Sequence, residues 1–196
     1  MARLPEFDRT EVLDKALDLF WSDGYESSSI SKLLDVMNIN RSSLYSAFGD
    51  KRSLFREILG HYFLTLEDLF SRTLIEIKDP LQALQAFYYD ALLTGDEEKL
   101  FKGCLFFNTV SELNSTMPEL ADEAAVYLFQ IRELFLKRLL EARDRGMIDK
   151  GEDLEVQADY LLAMLSGLRS LSKMGVDREA LKQVIDTAFV SLFKKQ

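Results

Sequence analysis

Four basic side chains lie close together in this acidic protein and are its clearest candidates for binding chemistry. They are Arg41, Lys51, Arg52 and Arg56. Between residues 38 and 56 they are opposed by Asp50 alone, whereas the whole chain carries a formal net charge of −9. Lys51 and Arg52 fall in the first turn of a predicted helix, where a positive charge opposes the helix dipole unless an anion binds there. The segment is therefore a candidate site for phosphate or another anion.

Nucleophilic and metal chemistry have few residues available. The chain has one cysteine, Cys104, and one histidine, His61. This excludes an intramolecular disulfide, a Cys/His zinc site and most catalytic sets that pair a nucleophile with an imidazole. The sequence also has no Gly-rich phosphate loop and no nucleophile elbow. We therefore expect no catalytic residues, no metal site and no cofactor.

The composition favours helices. Hydrophobic residues make up 47% of the 196, leucine far outnumbers valine and isoleucine, and there are only 9 Gly and 3 Pro. A chain of this size buries about 70% of its unfolded surface. We expect an all-α protein of one or two domains.

Neither a membrane span nor an export signal is predicted. The longest apolar runs, 124–129 and 160–165, are far shorter than the roughly 18–20 residues that cross a bilayer. The N-terminus carries Arg3 and becomes acidic from Glu6 onward, so it lacks the apolar core of a secretory signal. We expect a cytoplasmic protein without a membrane partner.

Three short helices are predicted at the N-terminus. Asp8 caps the first helix and Gly24 ends it. Ser29 caps the second, which ends in the polar turn 38–40, and the third begins at once with Arg41. Two short helices joined by a three-residue turn, after a supporting helix, match a helix-turn-helix.

The third helix has an apolar face and a face of short side chains. Its helical period directs Leu44 and Phe48 inward. The outward residues are Ser42, Ser43, Ser46 and Ala47. Short polar side chains permit close approach to a DNA major groove, but the same pattern also fits a solvated helix surface.

Many residues in this region resemble the DNA-binding segment of the tetracycline-repressor (TetR) family of bacterial transcription regulators. The resemblance covers about the first 60 residues. It rests on Ala16 to Phe20, Gly24-Tyr25, Ser28-Ser29-Ile30, Leu33, Ile39, Ser43-Leu44-Tyr45, Phe48, Lys51 and Leu54-Phe55. Asn40 departs from the serine or threonine common there, but asparagine caps a helix equally well.

The resemblance implies a repressor that binds double-stranded operator DNA through its third helix. Tyr45 and Lys51 are then expected to contact phosphates. The full set of expected DNA-binding residues is Ser29, Arg41, Ser42, Ser43, Tyr45, Ser46 and Lys51.

The rest of the chain is predicted as amphipathic helices. One long helix, with an apolar stripe from Leu54 to Phe70, joins the DNA-binding domain (1–50) to an effector-binding and dimerisation domain (51–196). Further helices are predicted over 81–94, 99–115, 118–145, 154–173 and 178–194.

The resemblance also implies a small-molecule effector, which is unidentified. Aromatic residues beside a few polar ones can line an apolar cavity, although most buried aromatics simply fill a core. The candidate lining residues are Phe63, Phe87, Tyr88, Cys104, Phe107, Asn108, Tyr127 and Phe135. Cys104 is open to two interpretations, a buried packing residue or a thiol sensor, and His61 is most simply a surface or packing residue.

The last two helices are expected to form a homodimer interface. Their apolar stripes are wide enough to face both a core and a partner. In the resembled family the equivalent helices form a four-helix interface. The residues expected there are Tyr160, Met164, Gly167, Leu168, Leu181, Ile185 and Phe189.

A second functional class stays open on sequence alone. A small helical metabolite-binding protein or enzyme, with structural N-terminal helices, would share the aromatic content of the later helices. Sequence-preferring, salt-sensitive binding to DNA distinguishes the two classes.

Overall fold

The computed structural model describes residues 7–193, apart from the side chain of Lys99, and over that range it contains helices and no strand. The predicted all-α class is confirmed. The first six residues and Lys194, the predicted end of the last helix, lie outside the described residues. The chain packs as two compact units.

The first unit combines the N-terminal helices with a later piece of the chain. It contains the described residues up to Thr65 together with Leu105–Ala125. Its elements are α1 (Arg9–Asp23), α2 (Ile30–Met37), α3 (Arg41–Phe48), α4 (Lys51–Thr65), α8 (Leu105–Leu113) and the beginning of α9 (Pro118–Asp144). Packing thus adds α4, α8 and the beginning of α9 to the three predicted N-terminal helices. The division into functional domains at residue 50 stays a prediction.

Side-chain oxygens start four of these helices. Asp8, Ser29 and Asn40 each accept a hydrogen bond from a backbone amide in the first turn of α1, α2 and α3. Asp50 does the same for α4, accepting from the amide of Ser53 at 2.7 Å. Each cap satisfies an amide that has no partner within its helix, so the predicted helix starts are confirmed.

The turn between α2 and α3 depends on a left-handed residue. Asn38 has φ 53° and ψ 44°, a conformation that asparagine tolerates better than most residues. Ile39 follows, and its side chain is half-buried at the turn. The tight reversal required of a helix-turn-helix is thereby made without a glycine.

An aromatic cluster fills the core of the first unit. The Phe55 ring centroid lies 4.8 Å from that of Phe20 and 4.9 Å from that of Tyr25. Tyr62, two turns further along α4, lies 4.9 Å from Phe106 of α8. These edge-to-face contacts fasten α1, α4 and α8 together.

The second unit contains Leu66–Cys104 and the described residues from Val126 onward. Its elements are α5 (Glu67–Leu69), a π-helical segment (Phe70–Ile75), α6 (Pro80–Leu93), α7 (Glu97–Phe101), the rest of α9, α10 (Leu154–Lys173) and α11 (Arg178–Phe193). Helix α6 packs against the π-helical segment, α10 and α11. The predicted bounds of α10 are confirmed.

The predicted long helix from Leu54 to Phe70 is interrupted. Helix α4 ends at Thr65, and Leu66 has φ −92° and ψ −8°. The Thr65 hydroxyl donates to the carbonyl of Tyr62 at 2.7 Å, a local bond that competes with regular helix geometry. Apolar periodicity did not reveal this break because the stripe continues across it.

The predicted helix 99–115 is two helices. Helix α7 ends at Phe101 and α8 begins at Leu105. Gly103 lies between them with φ 76°, a left-handed conformation that an α-helix does not contain. The single glycine was the available signal, and it ends the helix as glycines often do.

Tyr88 is the centre of the second unit's core. Its ring is fully buried beside Phe87, Phe135 and Phe189, with centroids 5.6, 6.0 and 5.5 Å away. Its hydroxyl donates to the carbonyl of Leu161 at 2.5 Å, and burial raises the pKa of the phenol well above its usual value. Helices α6, α9, α10 and α11 therefore meet at one side chain.

The left-handed turn residue generates a stability prediction. Asn38→Gly should keep or raise the free energy of unfolding, whereas Asn38→Ala should lower it by about 1 kcal/mol, because a Cβ is disfavoured at positive φ. Urea denaturation measures both. Ser31→Ala, at an exposed helical position of α2, is the control and should lose nothing. Equal losses from alanine and glycine at position 38 would contradict the explanation.

Candidate nucleic-acid interface

Helix α3 is held from one side and exposed on the other. Leu44 and Phe48 are buried in the first unit, as predicted. On the opposite side Arg41, Ser42 and Ser46 are exposed, and Tyr45 keeps 44% of its surface accessible. The remaining residues of the expected outward face, Ser43 and Ala47, are half-buried. The exposed face therefore carries two short polar side chains, one cation and one aromatic hydroxyl.

Ser29 is exposed and already has a structural role. Its hydroxyl oxygen accepts from the amide of Lys32 at 3.2 Å, which caps α2. A serine hydroxyl can donate its own hydrogen while it accepts, so capping does not prevent a contact to a DNA phosphate.

Lys51 lies over an aromatic ring instead of extending from α4. Its Nζ atom is 4.3 Å from the ring centroid of Tyr25. Partial burial lowers the pKa of Lys51, while the nearby carboxylates of Glu26 and Glu112 oppose that shift. Burial also raises the pKa of Tyr25. A phosphate that binds at the start of α4 would meet an ammonium group already positioned by this ring.

Two of the four clustered basic residues are paired with carboxylates. Arg52 forms an ion pair with Glu119, and Nε of Arg56 lies 2.7 Å from the carboxylate of Glu123. The anion-binding cluster expected from the sequence is therefore smaller than it appeared. Of its four side chains, Arg41 is the one for which the described residues provide neither a carboxylate nor a ring partner.

Sequence reasoning missed the role of Glu112. Its Oε2 accepts from the amide of Tyr25 at 3.0 Å and its Oε1 from the amide of Glu26 at 2.9 Å. Both bonds connect α8 to the turn between α1 and α2. No local pattern could have shown this, because 86 and 87 residues separate the partners.

The expected pocket residues are divided between the two units. Phe63, Phe107 and Asn108 lie half-buried in the first unit. The remainder, in the second unit, are Phe87, Tyr88, Cys104, Tyr127 and Phe135. Phe87 and Phe135 pack at 5.1 Å, edge to face, so part of the expected lining is a closely packed core.

Cys104 and His61 occupy ordinary packing positions. Cys104 is a buried free thiol in the second unit. In the first unit, Nε2 of His61 lies 2.6 Å from Oδ1 of Asp14, which links α4 to α1.

The expected interface residues also divide into two groups. Leu168, Leu181, Ile185 and Phe189 are buried within their own chain. A side chain already covered has little surface left to bury against a partner. Tyr160 and Gly167 are exposed and Met164 is half-buried, so these remain available.

No group of three or more candidate metal ligands occurs among the described residues. The described helices also include none with the length and apolar character of a membrane span.

Two family models match the chain. The model described as "Bacterial regulatory proteins, tetR family" matches residues 12–58, which cover most of α1 to α4. The model "Tetracyclin repressor-like, C-terminal domain" matches residues 80–188, which run from α6 into α11.

Curated relatives align along nearly the whole chain. The uncharacterised HTH-type transcriptional regulator YezE of Bacillus subtilis is 29% identical over 96% of this chain and 97% of its own. The HTH-type transcriptional repressor ComR of Escherichia coli is 26% identical over 92% of this chain and 87% of its own.

Solved structures show the same fold. The TetR-family regulator CifR, in a complex with 26 bp operator DNA, is 28% identical and covers 95% of this chain and 98% of its own, with a TM-score of 0.84. The reduced form of Escherichia coli NemR has 18% identity and a TM-score of 0.82, covering 95% and 97%, and supports the fold alone. The C-terminal family model spans more than half of the chain. The protein therefore belongs to the TetR family and is a DNA-binding transcriptional regulator, not an enzyme.

Proposed function

We propose that the protein is a repressor that binds a palindromic operator as a homodimer and leaves it when a small molecule binds its second unit. The main support for this proposal is the exposed polar face of α3. The opposite face of the helix, with Leu44 and Phe48, packs in the core, so the polar face is free to bind DNA. Curated relatives named as repressors, ComR among them, and the operator complex of CifR support it. A bacterial operator is cytoplasmic DNA, and we place the protein in that compartment.

The DNA contacts that we propose come from α3 and the starts of α2 and α4. Ser42 and Ser46 reach base edges or phosphates, and their hydroxyls make no unique base selection. Arg41 is suited to a guanine edge or a phosphate. Supporting phosphate contacts come from Ser29, Ser43, Tyr45 and Lys51.

The dimer surface that we propose lies on the exposed side of α10 and α11. Val156, Tyr160 and Gly167 share one face of α10, and Met174, the residue that caps its C-terminus, continues that face. All four are exposed. A Cβ built at Gly167 meets nothing within 4 Å, so a helix of a second subunit can approach closely there. Helix α11 packs beside α10 and exposes Val184.

A two-fold dimer presents two DNA-binding units to one operator, whereas a single chain presents one. Two recognition helices about 34–36 Å apart enter successive major grooves of a palindrome. Joining two weakly binding units raises the overall affinity without any new contact.

The effector site that we propose lies in the second unit, around the aromatic side chains of α6 and α9. Phe87, Tyr88 and Phe135 pack closely there, so a ligand must displace part of the cluster and thereby favour a different arrangement of these helices. An inducer must bind the DNA-free protein more tightly than the operator complex. Inducer binding must lower operator affinity by the same factor by which operator binding lowers inducer affinity. The corresponding coupling free energy is typically about 1–3 kcal/mol.

Binding to the DNA upstream of the protein's own gene tests the function. Fluorescence anisotropy with that fragment, against a shuffled fragment of equal length, should show a preference that weakens steeply with salt. The absence of a sequence-preferring, salt-sensitive complex would favour a metabolite-binding role instead.

Lys51→Ala should reduce the salt dependence of DNA binding. The slope of log K against log salt should fall by about one unit, and operator and shuffled DNA should lose affinity similarly, because a phosphate contact carries no base information. Lys137→Ala removes an exposed positive charge from α9 in the second unit and serves as the control. An unchanged slope with a lower melting temperature would reassign Lys51 to packing on Tyr25.

Gly167→Glu should convert the dimer to a monomer without unfolding the chain. The added side chain meets no atom of its own subunit, and glutamate favours a helix over glycine by roughly 0.5–1 kcal/mol. Between two apolar helix faces, however, its unpaired charge is costly. Light scattering measures the mass, and operator affinity should fall with dimerisation. Gln82→Glu adds the same charge to an exposed position of α6 as a control. A dimer that persists in Gly167→Glu would place the interface elsewhere.

A further inference from the structure

Glu112 of α8 binds the turn that precedes the helix-turn-helix with both of its carboxylate oxygens. Oε2 accepts from the amide of Tyr25 and Oε1 from the amide of Glu26, at 3.0 and 2.9 Å. These are charge-assisted bonds to two consecutive backbone donors. The contact fixes the direction in which both amides point, which one hydrogen bond would not do.

The geometry requires a carboxylate. An ionised glutamate offers two acceptors, whereas a glutamine offers one acceptor and an NH₂ group that donates. A glutamine at position 112 would direct its NH₂ toward an amide N–H and could satisfy only one of the two donors. The isosteric replacement is therefore expected to behave like a loss of the contact.

Gly24 makes room for this carboxylate. A Cβ at Gly24 would lie 2.8 Å from Oε2 of Glu112, closer than real Cβ contacts. The glycine also has φ 81°, where a side chain is strained. The turn is thus shaped by both its conformation and the approach of α8.

The held turn leads directly into α2. The Ser28 hydroxyl donates to the carbonyl of Gly24 at 2.6 Å, and Ser28 is fully buried. The next residue, Ser29, caps α2. The turn also carries the Tyr25 ring, which packs on Phe55 and lies beneath Nζ of Lys51. Movement of the turn would therefore disturb the starts of both α2 and α4.

Helix α8 is itself anchored in the first unit. Phe106 is fully buried and packs on Tyr62 of α4. Glu112 lies almost two turns further along the helix, so its backbone position is set by packing and its carboxylate does not have to hold α8 in place.

We propose that Glu112 is a positioning residue for operator recognition. By fixing the α1–α2 turn it sets the position of α2 and the start of α4, and thereby of α3, which follows α2 after the turn 38–40 and packs on α4. The inference rests on the DNA contacts proposed above for α3 and for the starts of α2 and α4. Glu112 itself does not touch DNA. Its loss lowers affinity for the operator more than affinity for shuffled DNA, because base contacts depend more strongly on register than phosphate contacts do.

The charge of Glu112 makes two explanations predict opposite changes in operator affinity. Removing one negative charge from a protein generally strengthens its attraction to DNA phosphates. Loss of positioning has the opposite effect. We expect Glu112→Gln and Glu112→Ala each to weaken operator binding by about tenfold, which corresponds to one or two hydrogen bonds, and to leave binding to shuffled DNA unchanged or slightly stronger.

The matched control is Asp122→Asn. Asp122 is exposed on α9 within the same unit, and its substitution removes the same charge. It should bind operator and shuffled DNA equally well or slightly more tightly than the native protein. Glu112→Asp keeps the charge but shortens the side chain, and should lose part of the operator affinity without any change in net charge.

Amide hydrogen exchange reports on the contact itself. Exchange at Tyr25 and Glu26 should accelerate in Glu112→Gln, while amides in the middle of α4 keep their native protection. A purely structural role would give a lower melting temperature and equal losses on both DNAs.

Two outcomes overturn the proposal, and a third concerns the function on which it rests. Unchanged operator preference in all three Glu112 variants, or an affinity gain equal to that of Asp122→Asn, would show that Glu112 does not position the turn for recognition. Failure of the native protein to prefer its operator would instead overturn the proposed DNA contacts. The native measurement, made first, separates these results.

Discussion

The helix-turn-helix depends on hydrogen bonds that side chains accept from the backbone amides at the starts of two very short helices. Helices α2 and α3 have eight residues each, too few to be stable alone in water. Ser29 and Asn40 supply the missing hydrogen-bond acceptors, and Leu33 and Leu44 are fully buried beneath them. Since neither capping nor burial alone would order such short segments, the recognition surface exists only as part of a packed unit.

The acidic residues of the protein have a specific use beside its basic segment. Glu119 and Glu123 pair with Arg52 and Arg56, and Glu112 binds the turn before α2. All three carboxylates come from α8 and the first turns of α9. Acidic residues can therefore lie close to the DNA-binding helices, because these carboxylates are paired with arginines or accept hydrogen bonds from backbone amides and are not unpaired negative charges facing a DNA phosphate.

Local signals in the sequence predicted the fold more completely than the site. Caps at Asp8, Ser29 and Asn40 and the exposed face of α3 depend on neighbours within a few residues, and all were predictable. The break at Leu66 was not, because the apolar stripe continues through it. The contact of Glu112 and the pairing of the clustered arginines join residues far apart in the chain. Such long-range partners leave no periodic pattern.

The two faces of α3 have separate roles, one in packing and one at the surface, and this has a consequence for evolutionary divergence. Leu44 and Phe48 secure the helix, while Ser42 and Ser46 are exposed and contribute nothing to the core. Exposed substitutions away from such structural features usually change stability by less than about 0.5 kcal/mol. Duplicated copies of such a gene could therefore exchange Ser42 and Ser46 for residues with other base preferences, and so acquire new target genes, without first accumulating compensating mutations in the core.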